Sequence, residues 1–415
     1  MRSIKPSRIS GKVDAPASKS LMIRAVAAAL LAAGDSRILK PSLCADALAA
    51  LRLIRALGAD VVERGEEISI SGGGAARRDT LDCGESGLCM RLFTPVAALQ
   101  QRLFLVTGEG SLMSRPMGLM EKPLSKAGVL VRTRDGLPPL SVRGPLRGGM
   151  IAIDGSESSQ FLTGLLTALP LCVDDSEVRV ANLKSKPYAA LTLSLLGRFG
   201  VVVESDRELS MFRVAGGQSY RPTAYTVEGD WSAGAFLLAA GAVAGDIAVG
   251  NLDVRSAQAD RRIVDALESA GAQLDVADGS IAIRHADLKA FDFDATDCPD
   301  LFPPLVALAC HCHGRSRIAG AGRLRHKESD RAESLVEEFT ALGARIALDR
   351  DCLEIEGGRP LAGVIDAHND HRIAMAGAVA GLGAGGGVSI RGSGCVSKSY
   401  PGFFDDLKSL GGEIT

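Results

Sequence analysis

The sequence predicts an α/β (α+β) fold with mixed sheets in two domains, and three observations carry that expectation. A helix that ends at glycine and runs into an alternating strand recurs six times; a second series of nearly uncharged Ala/Leu-rich helices runs in phase with it; strands and helices alternate inside every copy. At 415 residues and 46% hydrophobic content, the chain has enough apolar material for two cores.

The first series reads LRLIRALGADVVERGEEISI, MEKPLSKAGVLVRTRDGLPPLSV, LSLLGRFGVVVESDRELSMFRV, IVDALESAGAQLDVADGSIAI, LVEEFTALGARIALDRDCLEI and FDDLKSLGGEIT. Its glycines, Gly58, Gly128, Gly200, Gly271, Gly343 and Gly411, recur at roughly 70 residues. One such phrase is only a helix C-cap followed by a strand. Six at one period mean a duplicated building block.

The second series opens at Ser20, Gly87, Ser159, Asp230, Asp300 and Asp370. Helices apolar on all sides must be buried, so their polar starts stand out. A buried start offers unsatisfied N–H groups and the positive end of the macrodipole, which suits anions. Six units divide as three plus three, with the join near GGQSYRPTAY, giving domains 13–225 and 1–12 with 226–415. The first dozen residues are expected to pair with the second half, because the last unit ends abruptly and lacks a partner. The cleft between two domains is the expected ligand site.

Several classes are excluded by composition. Lys+Arg 47 against Asp+Glu 49, a formal charge of −2, gives no footprint for nucleic acid or an acidic membrane. Nine scattered cysteines read as reduced thiols and point to the cytoplasm. The Ala-rich stretch from Leu21 to Ala33 carries Arg24 and is too short to span a bilayer, so neither export nor an anchor is expected. With no exposed apolar stripe, a monomer is the default. The CHCH run at Cys310–His313 invites a metal, but neighbours on a helix point about 100° apart and no second ligand pair stands at finger spacing, so neither metal nor cofactor is expected.

Chemistry can be read at the helix starts. PASKSLMIR puts Lys19, Ser20 and Arg24 at one of them, with Arg24 one turn beyond Ser20. CGESGLCMR places Gly87 where backbone can approach a ligand, with Arg91 four residues on; it lacks the GxxxxGK[ST] pattern of a nucleotide P-loop. Arg115 precedes a proline in an extended or loop setting, where an arginine can grip a carboxylate or phosphate and can equally be a surface residue. Ser158, Ser159 and Gln160 offer more donors than one N-cap needs. Lys327, Glu328 and Arg331 fall within one expected helical turn, which is also a common surface charge pattern. Asp230 and Asp300 could be N-caps. Asn369, Asp370, His371 and Arg372 crowd another start, Ser185, Lys186 and Tyr188 stand in LKSKPY, and Lys398 precedes an aromatic and a proline.

Taken in order and spacing, PASKSLMIR, GESGLCMR, SRPMG, DGSESSQFLT, SKPY, VEGD, PD, KESDR, NDHR and SKSYP resemble the EPSP synthases, a family of enolpyruvyl transferases, essentially end to end. The resemblance implies a two-domain inverse α/β barrel of six βαβαββ units, three per domain, closing over substrate. It implies transfer of enolpyruvate from phosphoenolpyruvate to the 5-hydroxyl of shikimate 3-phosphate through a tetrahedral intermediate, in the shikimate pathway to chorismate. Lys19, Ser20, Arg24, Ser158, Ser159, Gln160, Ser185, Asp300 and Lys327 match the shikimate 3-phosphate binders. Lys19, Gly87, Arg115, Gln160, Arg331, Arg372 and Lys398 match the phosphoenolpyruvate binders. Asp300 and Glu328, with Lys19, match the catalytic set: Asp300 as base toward the hydroxyl and Glu328 for the C3 proton. Two phosphates and two carboxylates brought together in a drying cleft need many cations and helix starts, which fits the number of motif Arg and Lys residues.

Three positions depart from the family pattern. Glu85 and Leu88 stand where the family commonly has Asn and Thr, and Arg323 where it tends to have Asn. The nearest alternative, an enolpyruvyl transferase acting on UDP-N-acetylglucosamine, carries Lys-Asn at the opening motif and a cysteine in the loop before Arg-Pro. Here Lys19 is followed by Ser20 and the loop reads GEGSLMSRP. The other alternative is a non-catalytic homologue that binds phosphate ligands; Asp300 and Glu328 argue against it.

Overall fold

The computed structural model describes residues 1–358 and 361–415. Its α-helices in chain order are α1 (Lys19–Leu31), α2 (Ala45–Ala56), α3 (Gly87–Ala97), α4 (Glu121–Lys126), α5 (Gln160–Ala168), α6 (Lys186–Arg198), α7 (Trp231–Ala244), α8 (Ile263–Ser269), α9 (Phe302–Cys310), α10 (Arg331–Ala341), α11 (His371–Leu382) and α12 (Phe403–Ser409). Even-numbered helices are the glycine-terminated series and odd-numbered helices the apolar one. Each even helix ends in the same way: Gly58, Gly128, Gly200, Gly271, Gly343 and Gly411 all have φ between +80° and +116°. The following N–H reaches back to the last turn, as in Ala59 N to Ile54 O at 2.9 Å and Ala344 N to Phe339 O at 2.9 Å. This is the Schellman geometry, in which a left-handed residue turns the chain out of the helix. The repeat seen in the sequence is therefore a repeated stop signal; a strand starts shortly beyond the first five, and beyond Gly411 the chain makes an isolated bridge at Ile414.

Among the described residues, five four-stranded sheets and one three-stranded sheet share one plan, in which an edge strand lies parallel to its neighbour and the remaining pairings are antiparallel. Thr80–Asp82, for example, runs parallel to Leu103–Thr107; that strand pairs antiparallel with Leu137–Arg143, which pairs antiparallel with Leu130–Arg134. Six small mixed sheets built alike, with helices between their strands, are what duplicated units produce. The plan holds through an exchange of strands. Ile9–Asp14 leads into α1 but lies parallel to Gly245–Leu252, after α7; Ala224–Thr226 leads into α7 but lies parallel to Gly34–Leu39, after α1. Arg2–Ile4 pairs with Val388–Arg391, and Ile4 bridges Ile414, so the N-terminus completes the last sheet.

The chain divides into a unit of residues 17–227 and a unit of residues 1–16 with 228–415. The divisions fall a few residues beyond the 12/13 and 225/226 boundaries read from the sequence. The Ile9–Asp14 ladder runs on to Asp14 opposite Gly250, and Ala15 N still donates to Gly250 O at 3.0 Å. Within the first unit, α1, α3, α5 and α6 pack through buried Ala, Leu, Met and Phe; within the second, α7, α9 and α11 pack on one another. Burying each such side chain contributes about 1.5–3 kcal/mol, so these apolar helices form the rigid floor from which their polar starts project. No helix among the described residues is long and apolar enough to cross a membrane.

Candidate active site

The residues singled out at the helix starts gather into two clusters, one in each unit. In the unit of residues 17–227, the close approach of α3 to α5 organises the first. A Cβ on Gly164 of α5 would fall 2.5 Å from the Arg91 carbonyl oxygen, so glycine lets the two backbones nearly touch. One turn before Gly164, Gln160 then meets Arg91, whose Nη1 donates to Gln160 Oε1 at 2.9 Å while Nη2 donates to the Pro116 carbonyl at 3.2 Å. Arg115 Nη2 donates to Ser111 Oγ at 3.1 Å, and both arginines are buried. Their guanidinium groups converge on the first residue of α3. A Cβ at Gly87 would lie 2.9 Å from Arg115 Nη1 and 3.0 Å from Arg91 Nη1. Two buried cations, an amide and the N–H groups of a helix start thus share one spot, a arrangement suited to an anion.

Around α1, Lys19 is the first helical residue, and its Nζ meets Asp46 Oδ2 of α2 at 3.1 Å. Arg24 is buried and threaded among hydroxyls and a carbonyl: Nε donates to Thr192 Oγ1 at 3.0 Å, Nη2 to Thr163 Oγ1 at 3.3 Å and Nη1 to Ser20 O at 2.9 Å. Burial lowers its pKa to about 10, with Tyr188 and Tyr225 opposing. A guanidinium so desolvated gains from any anion that reaches it. Ser158 Oγ accepts from Gln160 N at 3.2 Å, so Ser158 serves the start of α5, while Ser159 is the residue just before that helix. Ser185 adopts φ +54° before α6 and is buried. Glu85 Oε2 accepts from Ser111 N at 3.2 Å, which ties the loop carrying Arg115 to the segment carrying Gly87.

In the other unit the second cluster is an ion network centred on Arg331, the first residue of α10 and fully buried. Arg331 Nη1 reaches Asp300 Oδ1 at 2.9 Å, Nη2 reaches Glu328 Oε2 at 2.5 Å, and Nε reaches Asp370 Oδ2 at 2.9 Å. Arg372 Nη2 meets Asp300 Oδ2 at 3.0 Å, and Lys327 Nζ meets Asp300 Oδ1 at 3.5 Å. Lys398, in the turn Ser393–Lys398, donates from Nζ to the Asn369 carbonyl at 2.6 Å. Three expectations are corrected here. Lys327 and Glu328 do not belong to the helical turn of Arg331, because α10 starts at Arg331 with Asp330 as its cap and Lys327 is extended. The pattern is also not a solvated surface one, since Arg331 has no exposed atoms to speak of and Asp370 likewise. Nor is Asp300 an N-cap. It sits in the short turn Pro299–Leu301, and its oxygens are taken by three cations. Asp230 does cap, accepting from Ala233 N at 3.0 Å.

Charge sets the protonation states of this cluster. Burial pushes the Asp300 carboxyl up, but Arg372, Lys327 and Arg331 outweigh it and hold the group well below the usual carboxylate range. Burial lowers the Lys327 ammonium to about 8, with Asp300 opposing and Arg331 and Arg323 adding to the fall. Sequence reasoning left three members out of the binding set. Arg91 was visible beside Gly87, but its partnership with Gln160 depends on helix packing. Asp370 was visible in NDHR, and its double duty emerges only in space: it accepts from Arg372 N at 2.9 Å as a cap and also holds Arg331. Asp260 had no signal at all. It is buried, accepts from Ser232 Oγ, and is pushed up to about 7 by burial and by the charge of Asp300.

Comparison with known proteins places this architecture. The family model for EPSP synthase (3-phosphoshikimate 1-carboxyvinyltransferase) matches residues 4–407. The chain is 40% identical over 415 residues to a 3-phosphoshikimate 1-carboxyvinyltransferase of Methanocorpusculum labreanum, covering 98% of each chain. To one from Clostridium perfringens it is 36% identical over 415 residues, covering 99% of this chain and 98% of the relative. The solved structure of EPSP synthase from Acinetobacter baumannii superposes with a TM-score of 0.82 at 26% identity, over 100% of this chain and 99% of that one. A helix-start anion cluster in one unit, an arginine-centred ion network in the other and similarity along the whole chain together assign it: the chain belongs to the EPSP synthase (3-phosphoshikimate 1-carboxyvinyltransferase) family.

Proposed function

We propose that this chain is the shikimate-pathway enzyme that joins phosphoenolpyruvate to the 5-hydroxyl of shikimate 3-phosphate and releases phosphate through a tetrahedral intermediate. The observation that carries the reading is the convergence of Arg91, Arg115, Gln160 and the start of α3 on one anion position, in a chain 36–40% identical end to end to 3-phosphoshikimate 1-carboxyvinyltransferases. The α3 start takes the phosphate of phosphoenolpyruvate, with Arg115 and Lys19. Ser20, Arg24, Ser158, Ser159, Gln160 and Ser185 take shikimate 3-phosphate. The Arg331 cluster, with Arg372 and Lys398, supplies the remaining cations, and Lys327 and Asp300 meet the acceptor. The fold in this reading is the two-domain inverse α/β barrel that the family resemblance implies.

The chemistry needs only proton transfers and anion stabilisation. Asp300 takes the proton of the 5-hydroxyl as oxygen attacks C2 of phosphoenolpyruvate; Glu328 delivers a proton to C3; loss of the C3 proton and of phosphate from the adduct then restores the double bond. No redox or carrier group enters this balance. Nine free thiols fit a reducing compartment and support a cytoplasmic enzyme. The test is phosphate release with purified substrates. Release is expected only with phosphoenolpyruvate and shikimate 3-phosphate together; release with UDP-N-acetylglucosamine as acceptor, or none with either, would overturn the reading.

Gly87 gives a sharper check on the anion position. In Gly87→Ala the new methyl pushes aside the ends of Arg115 and Arg91, which are flexible, so the fold should hold. Displacing two donors by a few tenths of an ångström or more is expected to raise KM for phosphoenolpyruvate about tenfold to a hundredfold, with the melting temperature nearly unchanged. An unchanged KM in steady-state assays would remove phosphoenolpyruvate from the α3 start.

A further inference from the structure

Glu338 stands seven residues beyond Arg331 on α10, two turns along the same face and about 10 Å away along the axis. It is a buried carboxylate with both oxygens engaged by the turn that leads into α11. Oε2 accepts from Asp366 N at 2.8 Å, and Oε1 lies 2.5 Å from His368 Nε2. Because an ionised carboxylate only accepts, the proton in the second contact belongs to the imidazole. The turn itself is unusual. His368 and Asn369 sit consecutively at φ +48° and +55°, and His368 N donates to Asp366 Oδ1 at 2.7 Å. A non-glycine pair in the left-handed region persists only where surrounding contacts over-determine it. Those contacts are Lys398 on the Asn369 carbonyl, Arg331 on Asp370, and Glu338 on Asp366 and His368. One face of α10 therefore grips the turn at two points, with Arg331 at one end and Glu338 at the other.

We propose that Glu338, partnered by His368, is a positioning residue that fixes the 366–372 turn against α10 and so sets the placement of Arg331, Asp370 and Arg372 for substrate anions. The proposal rests on the reading of Arg331 and Arg372 as anion binders. Glu337 also lies near His368, 3.9 Å from Oε2 to Nε2, but its side chain is 71% exposed. Glu337, Glu338 and His368 have ligand atoms within 4.8 Å of one another. The protonated face of His368 already points at Glu338, and the second oxygen of Glu338 is held by a backbone N–H, so the group is organised as a hydrogen-bonded brace.

The brace acts through the placement of anion-binding groups, and its signature falls first on substrate binding. Glu338→Ala is expected to raise KM for phosphoenolpyruvate about tenfold to a hundredfold, with a smaller fall in kcat because Arg331 and Arg372 also hold Asp300. Glu338→Gln, which keeps an acceptor for Asp366 N–H, and His368→Gln, which keeps a donor toward Glu338, are each expected to keep KM near the wild-type value. Backbone hydrogen exchange is expected to rise in Glu338→Ala at residues 366–370 and to stay unchanged in the middle of α11. This arm reports on the brace even if the wild-type protein fails to turn over the two substrates, so a wrong substrate assignment and a wrong brace are told apart. A Glu338→Ala protein with wild-type KM, or one no worse than Glu338→Gln, would overturn the proposal. So would turn exchange that rises on dialysis of the wild-type protein against a chelator, since a metal would then be the organising group.

Discussion

Arg331→Met is expected to abolish measurable turnover and to lower the stability of the fold by about 3–5 kcal/mol, the range for removing one partner of a buried ion pair. The size follows from what is left behind. Arg331 is fully buried and stands between Asp300, Glu328 and Asp370 at 2.5–2.9 Å. Burial alone would lower its pKa, yet the three carboxylates raise it well above the ordinary arginine value. Methionine fills the volume but leaves three carboxylates in a poorly hydrated pocket, with Arg372 and Lys327 beside Asp300 to balance part of their charge. Loss of a buried anion donor of this kind costs about 10²–10³-fold in kcat by itself, and misplacement of Asp300 and Arg372 adds to it. Arg331→Lys keeps the charge but cannot span three partners with one ammonium, so an intermediate loss is expected in both activity and stability. Denaturant unfolding alongside steady-state assays measures both effects. The coupling can be read directly: Glu328→Gln in the Arg331→Met background should recover part of the stability, because one uncompensated charge is gone. Wild-type stability in Arg331→Met would contradict the network.

Why some of this was legible in the sequence and some was not follows from the range of the physics. The glycine stop after each even helix is a local event: a Schellman turn needs a left-handed residue, and Gly58 through Gly411 announce it six times. Helix starts are local too, and every expected one except that of α9 lies within a residue of its observed place. The exchange of Ile9–Asp14 and Ala224–Thr226 was half visible, in the partnerless last unit, because strand pairing is a long-range choice. The chemistry of the second cluster was the least legible part. The spacing of Lys327, Glu328 and Arg331 suggested a helix surface, while the observed contacts arise because Arg331 opens α10 toward the start of α11 and the turn at Asp300. Glu338 offered no signal, since a glutamate seven residues into an amphipathic helix is ordinary until a backbone N–H is found on it.

Asp300→Asn is expected to lower kcat about 10²–10⁴-fold while leaving substrate binding largely intact, the loss typical of removing a general base. The charge environment makes this prediction sharper than a simple loss. In the protein as described, Arg372, Lys327 and Arg331 hold the Asp300 carboxyl ionised and weakly basic. Two substrates that bring phosphates and carboxylates compete for those same cations, and each one drawn away lets the carboxyl rise toward the pH at which it can accept a proton. A base that strengthens only when both anions are seated ties proton abstraction to full occupancy. The pH profiles should carry that signature. Asp300 stays ionised in the free protein across the working range, so it adds no acid limb to kcat/KM; in the loaded protein it is less depressed, so an acid limb appears in kcat and is absent from the Asn variant. The substrates' own phosphates titrate alike in both proteins, so the difference between the two profiles isolates Asp300. On the basic side, Lys327 loses its charge as pH rises through about 8, and kcat/KM falls with it. Asp300 is the larger of the two charges that raise Lys327, ahead of Glu328, so Asn at that position should move the basic limb to lower pH. A basic limb that stays in place, or an Asn variant with full kcat, would break the link between these two residues on which the assignment of the base depends.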